Sequence, residues 1–160
     1  MSLAWWSPSA KSIIGDTIQI DGEVISQTSK IFKSGKWIAG TIGYAAIKPI
    51  LKEVLRDCND VVDLYASQLL QTHCDADSII ACPDEGRVWS LSSDKGKILI
   101  TPIDASKLYV IGWGKMAIQT LYHIGYSDVE AAKVVDVLVS NVKKPFEIID
   151  RKGNISVLLS

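Results

Sequence analysis

Short apolar runs separated by turn-forming residues occupy the first 43 residues, and this pattern predicts consecutive β-strands. The predicted strands cover residues 3–6, 12–16, 23–26, 30–33 and 36–39. The dipeptides Asp21-Gly22 and Ser34-Gly35 supply turn signals between them. The first two strands, and the last two, are expected to pair as hairpins.

The hydrophobic period changes after residue 43. Apolar residues recur every three or four positions from Ile47 to Leu55, which predicts a helix. A second helix is expected to begin at Asn59-Asp60 and to run to Leu70. Strands return at 76–82, 87–91, 98–102 and 108–111, helices are predicted over 116–124 and 128–138, and a hairpin of 146–150 with 155–159 ends the order. Ser127 and Glu130 form a capping-box pattern at the start of the last helix.

Strands and helices are segregated along the chain rather than strictly alternating, and this order predicts an α+β fold. Two antiparallel sheets packed face to face, with a helix pair on each outer side, satisfy the order. The expected architecture is therefore a four-layer αββα sandwich. The 160 residues fit one domain that spans positions 1–160.

Composition narrows the classes of function. The net charge is −1 and no basic cluster stands out, so a nucleic-acid partner is not expected. Three cysteines without CxxC spacing predict buried free thiols rather than a disulfide framework, and His73 beside Cys74 is too small a set for a metal site. No apolar run reaches the roughly 18–20 residues of a membrane span. We expect an intracellular protein, cytoplasmic or virion-associated, with no membrane partner and no cofactor.

The order of four short motifs along the chain is informative. They are Ile13-Ile14-Gly15-Asp16, Ser29-Lys30-Ile31-Phe32, Ala39-Gly40 at the end of a predicted strand, and Gly112-Trp113-Gly114 before a predicted helix. Together they resemble the framework of the proteasome-like N-terminal-nucleophile hydrolases, which include bacterial and phage proteins. The resemblance covers nearly the whole chain and implies the four-layer sandwich.

The resemblance also implies a catalytic set. Ser2 would be the nucleophile once Met1 is removed, and its own α-amino group, with an ordinary pKa near 7.7–8.0, would act as the base. Lys30 and Asp16 would support the nucleophile. The backbone N–H of Gly40 would stabilise the oxyanion, and the substrate would be a peptide.

The sequence departs from the family pattern around this set. Ser2 stands where most relatives have Thr, and Tyr44 replaces an acidic residue. Trp113, Val139 and Val142 occupy pocket positions where relatives carry polar groups. Two hypotheses follow: a structural or assembly subunit of a homo-oligomeric ring with a degenerate site, or an active peptidase or amidohydrolase that uses Ser2.

Overall fold

The computed structural model describes residues 2–21, 23–67, 70 and 75–160. Its strands are β1 (Leu3–Ser7), β2 (Ser12–Asp16), β3 (Ile18–Asp21), β4 (Val24–Gln27), β5 (Ile31–Ser34), β6 (Trp37–Gly43), β7 (Ala76–Cys82), β8 (Arg87–Asp94), β9 (Lys97–Ile103), β10 (Tyr109–Gly112), β11 (Phe146–Ile149) and β12 (Ile155–Leu159). Its helices are α1 (Ile47–Leu55), α2 (Lys115–His123) and α3 (Asp128–Leu138), with 3₁₀ helices at Val61–Ala66 and Pro83–Glu85. These elements make the fold α+β.

Two five-stranded sheets and one separate hairpin contain all of these strands. The first sheet has the order β10-β1-β2-β11-β12, and the second has the order β5-β6-β7-β8-β9. Neighbouring strands are antiparallel throughout, and β3 pairs only with β4. The predicted hairpins of β1 with β2 and of β5 with β6 are both confirmed.

The two large sheets share one buried core. It contains Ala4, Trp6 and Ile13 from the first sheet and Ile31, Ile38 and Ile79 from the second, among others. Successive side chains of a strand point to opposite faces, so the neighbours of these residues enter other clusters. This explains why β1, β2 and the start of β6 read as continuous apolar runs rather than as an alternation.

Each sheet also packs against helices. Phe32, Trp37 and Ala39 of the second sheet join a cluster with residues of α1 and the 3₁₀ helix at Val61–Ala66. Leu3, Trp5 and Ile14 of the first sheet join a third cluster with residues of α2 and α3. Asp16 at the end of β2 and Lys30 just before β5 are buried, whereas Gly43 at the end of β6 is exposed.

Besides shifts in strand ends, such as the extension of the strand predicted over 36–39 to Gly43, three local predictions differ from the structure. The helix expected from Asn59-Asp60 begins as the tighter 3₁₀ helix, capped by Asp60, because the β-branched Val61 and Val62 are weak α-formers. Strand β3 was not predicted. The hairpin of β11 and β12 also continues the first sheet, because β11 pairs with β2.

Several predicted features lie outside the described residues: the removal of Met1, the turn residue Gly22, and His73 with Cys74. Cys58 and Cys82 are buried free thiols, as expected. The described part of the chain contains no helix with the length and apolar character needed to cross a membrane.

Candidate active site

Asp16, the last residue of β2, carries a fully buried carboxylate that joins two parts of the site. Its Oδ1 accepts a hydrogen bond of 2.9 Å from the backbone N–H of Leu3, the residue after Ser2. The same oxygen lies 2.5 Å from Lys30 Nζ. Lys30, which directly precedes β5, is only 6% exposed. The structure therefore brings Asp16 and Lys30 together, as predicted, and connects them to the start of β1.

Burial dominates the electrostatics of this pair. It raises the pKa of Asp16, although the charge of Lys30 and the hydrogen bonds to Lys30 and Leu3 oppose the shift. Burial likewise lowers the pKa of Lys30 against the opposing charge of Asp16. Lys30 Nζ also donates a 2.6 Å hydrogen bond to the carbonyl of Ile18. Asp16 Oδ2 is buried and has no hydrogen-bond partner among the described residues.

The backbone of Ser2 is fixed against the second glycine turn. Its carbonyl accepts a 2.9 Å hydrogen bond from the N–H of Trp113. A Cβ at Gly112 would lie 2.1 Å from that carbonyl oxygen, and Gly112 has a φ of +95°. Only glycine tolerates both constraints, so this turn allows the close approach of β10 to the start of β1.

Two cavities meet at Ser2. The larger has a volume of about 1040 Å³ and the smaller of about 130 Å³, and Ser2, Ile42 and Gly43 line both. Lys30 also lines the smaller cavity. The larger volume is that of a typical ligand site, whereas the smaller is suited to one side chain. Ser2 therefore borders both cavities.

Gly40 is not positioned as the predicted oxyanion donor. It lies inside β6, where an added Cβ would be 2.8 Å from Ile13 Cγ2 in the core between the sheets. Tyr44 donates to the carbonyl of Asp75, and the β6–β7 register continues from that pair without a shift. Hydrogen-bonded pairs alternate in an antiparallel ladder, so the N–H of Gly40 is directed at Ile79 of β7.

The same alternation directs the N–H of Gly43 away from β7. Thr41 N–H, which faces the same side, donates a 2.9 Å hydrogen bond to the carbonyl of Lys30. Pairing of β5 with β6 ends at Gly40, so no described strand residue pairs with Gly43 there. Gly43 has a φ of +99° and lines both cavities beside Ser2. The sequence alone could not show which of the two glycines, three residues apart, pairs with β7 and which one faces the cavities.

One of the three predicted pocket residues lines a cavity. Trp113 lies on the wall of the larger cavity and is 58% exposed. Val139 instead packs on Gly114, where an added Cβ would be 3.5 Å from its Cγ2. Val142 is fully buried in the core beneath the first sheet. Neither valine, both predicted as pocket residues from the family resemblance, is among the described residues that line the two cavities.

Lys48, in the first turn of α1, is a further residue of the site that the sequence did not indicate. It lines the smaller cavity, and its Nζ donates a 2.5 Å hydrogen bond to the carbonyl of Ser29. Its only sequence signal was a basic side chain in the first turn of a helix, which is a weak one. Among the described residues, no group of three His, Cys, Asp or Glu side chains is arranged to hold a metal ion.

No protein-family model matches the sequence, and no curated protein matches it in sequence. Among solved structures, the chain is similar to Thiobacillus denitrificans BPH in complex with epoxomicin. The TM-score is 0.66, the sequence identity is 15%, and the similarity covers 100% of both chains. At this identity the similarity establishes a shared fold, so the chain has the fold of this bacterial protein over its whole length.

Proposed function

We propose that this chain is a proteasome-like N-terminal-nucleophile hydrolase that cleaves amide bonds in peptides, with Ser2 as its nucleophile. Epoxomicin, bound to the structurally similar bacterial protein, is a proteasome inhibitor. The two large sheets, with helices packed against each, support the four-layer αββα sandwich of that family. Fold alone does not carry a function, so the proposal rests on the site.

A single observation carries the proposal. Asp16 Oδ1 binds both the N–H of Leu3 and the ammonium of Lys30, and Lys30 shares a cavity with Ser2. Taking two charges out of water costs free energy, and this desolvation offsets much of the attraction between them. The position of Asp16 and Lys30 beside the start of β1 is explained if their charges stabilise a nucleophile at Ser2.

The proposed reaction, which requires removal of Met1, uses these positions. Ser2 Oγ forms a bond to the substrate carbonyl carbon while its proton passes to the free α-amino group of Ser2. The tetrahedral intermediate then collapses, the C–N bond breaks, and the proton is given to the leaving amine. Water hydrolyses the resulting ester and regenerates Ser2. Lys30 stabilises negative charge on Oγ, and the Gly43 N–H takes the oxyanion role first assigned to Gly40.

Mass spectrometry tests this function directly. The protein is incubated with a peptide epoxyketone, and intact mass and peptide mapping are recorded. We expect Ser2 to be the first residue and to carry the adduct, because the reaction needs both the hydroxyl and the α-amine of one residue. The Ser2→Ala variant is the control and should stay unlabelled. Folded protein that retains a residue before Ser2 and takes up no label would refute the proposal.

One observation favours the second candidate, a structural subunit with a degenerate site. Trp113 places an indole on the turn that holds Ser2, where the family pattern has a small polar residue. In that case Asp16 and Lys30 persist as a structural ion pair. Labelling of Ser2 in the wild-type protein supports the active enzyme. Labelling that appears only in the Trp113→Ser variant shows that the indole blocks the site, as expected of the degenerate subunit.

A further inference from the structure

The smaller cavity beside Ser2 is lined by basic and neutral residues. Its described lining consists of Ser2, Gln19, Thr28, Ser29, Lys30, Thr41, Ile42, Gly43, Tyr44, Ala45, Ile47, Lys48 and Pro49. No carboxylate occurs among them. The cavity volume of about 130 Å³ is below the roughly 300–1,000 Å³ of a pocket that holds a whole ligand. The cavity therefore suits one polar side chain rather than a whole ligand.

The two lysines of this cavity differ in their charge partners. The charge of Lys30 is matched by Asp16 at 2.5 Å. Lys48 donates to a neutral carbonyl, that of Ser29, which leaves two of its three ammonium hydrogens for other acceptors. The positive charge that remains for a ligand is thus on Lys48.

The surroundings of Lys48 include two further charged groups. Burial lowers the pKa of Lys48, the neighbouring charge of Lys52 lowers it further, and Glu147 opposes the shift. Glu147 does not line the cavity, and its Oε2 is buried without a hydrogen-bond partner among the described residues. A carboxylate entering the cavity would meet Lys48 without displacing an existing ion pair.

The start of α1 adds to the positive potential. Ala46, the N-cap residue, offers no side-chain hydrogen bond, and the first turn holds no acidic residue. Residues Ala45, Ile47 and Pro49 of this end line the cavity beside Lys48. The first N–H groups of a helix carry partial positive charge, which supports the lysine rather than forming a site alone.

The larger cavity has the opposite character. Asp75, Asp77 and Asp94 lie on its wall, with Lys115 as its basic residue. An acidic side chain of a bound peptide would be repelled there and attracted to the smaller cavity. Ser2 and Gly43, which would hold the attacked carbonyl, line both cavities, whereas Lys30, which would stabilise the Ser2 oxygen, lines only the smaller one. The residue that carries the attacked carbonyl is therefore assigned to the smaller cavity.

We infer that the smaller cavity binds an acidic side chain, Glu or Asp, on the amino side of the cleaved bond, with Lys48 as the specificity-determining residue. This rests on the proposed peptidase function. It attributes the preference for an acidic side chain to the charge of Lys48. Removing that charge should therefore change the substrate preference but leave the cleavage reaction intact.

The kinetic test compares two fluorogenic peptides that differ only by Glu or Gln before the cleaved bond. We expect kcat/KM to be about tenfold higher for the Glu peptide, because a hydrogen bond to a charged group contributes more than a neutral one. The Lys48→Met variant should bring the ratio close to one, and Lys48→Arg should keep it. Lys107→Met, which removes an exposed charge that lines neither cavity, is the matched control and should leave the ratio unchanged.

A binding test separates this inference from the proposed function. NMR of protein with ¹³C-labelled lysine is recorded with N-acetyl-glutamate α-amide and with its glutamine counterpart. We expect only the glutamate compound to shift the Lys48 signal, with thermal melting showing that each variant is folded. If no peptide is cleaved but this shift occurs, the hydrolase proposal fails and the acidic-side-chain site stands. Cleavage or binding without a Glu preference would overturn the inference alone, and absence of both would overturn both.

Discussion

At the scale of single residues, the Asp16–Lys30 pair belongs to the candidate active site and is also costly to bury. Both side chains are almost fully buried, and each is the other's main counter-charge. Such a pair adds little stability compared with apolar residues of similar size, but breaking it leaves one charge buried and unpaired. Their coupling, rather than either residue, is therefore the measurable quantity.

Asp16→Asn is expected to lower the free energy of unfolding by about 3–5 kcal/mol, because it leaves the Lys30 ammonium without its counter-ion. Lys30→Met should have a similar effect through Asp16. The double variant should recover a large part of the loss, since it leaves no buried charge. Denaturant unfolding at pH 7 measures all three, and strictly additive effects would show that the residues do not act as a pair.

At the scale of elements, β6 decides where the site can form. Its N–H groups alternate between β7 and the side of Lys30, so Gly40 belongs to the ladder and Gly43 faces the site. The strand ends at Gly43 because its positive φ turns the chain toward α1. The position of an oxyanion donor is therefore fixed by the parity of the residue within the strand.

Glycine substitutions at the two positions should give different defects. In Gly43→Ala the added Cβ would meet Asp75 O at 2.6 Å and the positive φ would be strained, so the N–H is displaced. We expect kcat to fall about 10²–10³-fold, as for loss of an oxyanion donor. Gly40→Ala should instead cost about 1–3 kcal/mol of stability by overpacking against Ile13. Loss of activity in well-folded Gly40→Ala protein would restore Gly40 as the donor.

The elements also show which structural features could be predicted from the sequence and which could not. Strand β2 and helix α1 were predicted with the bounds found, because each combines a clear period with turn or helix-start signals. The capping box of Ser127 and Glu130 was also predicted from the sequence, and the structure confirms it. Gly40 was predicted as the oxyanion donor because Ala39-Gly40 resembles the family motif, and the sequence could not point to Gly43 instead, because hydrogen-bond parity depends on the pairing register with β7. That register is a property of two segments far apart in sequence.

At the scale of the whole molecule, the helices α2 and α3 leave apolar side chains uncovered. Met116 is 81% exposed, Val137 75% and Leu138 72%. Exposed apolar groups on neighbouring elements are typical of an interaction surface. We propose, from the family resemblance, that copies of this chain associate into a homo-oligomer through this surface.

Light scattering coupled to size exclusion is expected to give a molar mass several times that of one chain. The double variant Val137→Lys and Leu138→Lys should shift the protein toward the monomer, because it places charges on the surface that would be buried. Leu99→Lys, which charges an exposed apolar residue of β9 instead, is the matched control and should assemble normally. A wild-type protein that elutes as a monomer at high concentration would contradict the oligomer.

The indole of Trp113 gives the site its own optical signal. Trp5 and Trp37 are fully buried, Trp6 is 2% exposed and Trp89 is partly buried, whereas Trp113 is 58% exposed on the wall beside Ser2. A soluble quencher therefore reaches this ring more readily than the other four. Occupation of the larger cavity would shield the ring, so the accessible fraction of the fluorescence reports when the cavity is filled, without any label on the protein or the peptide.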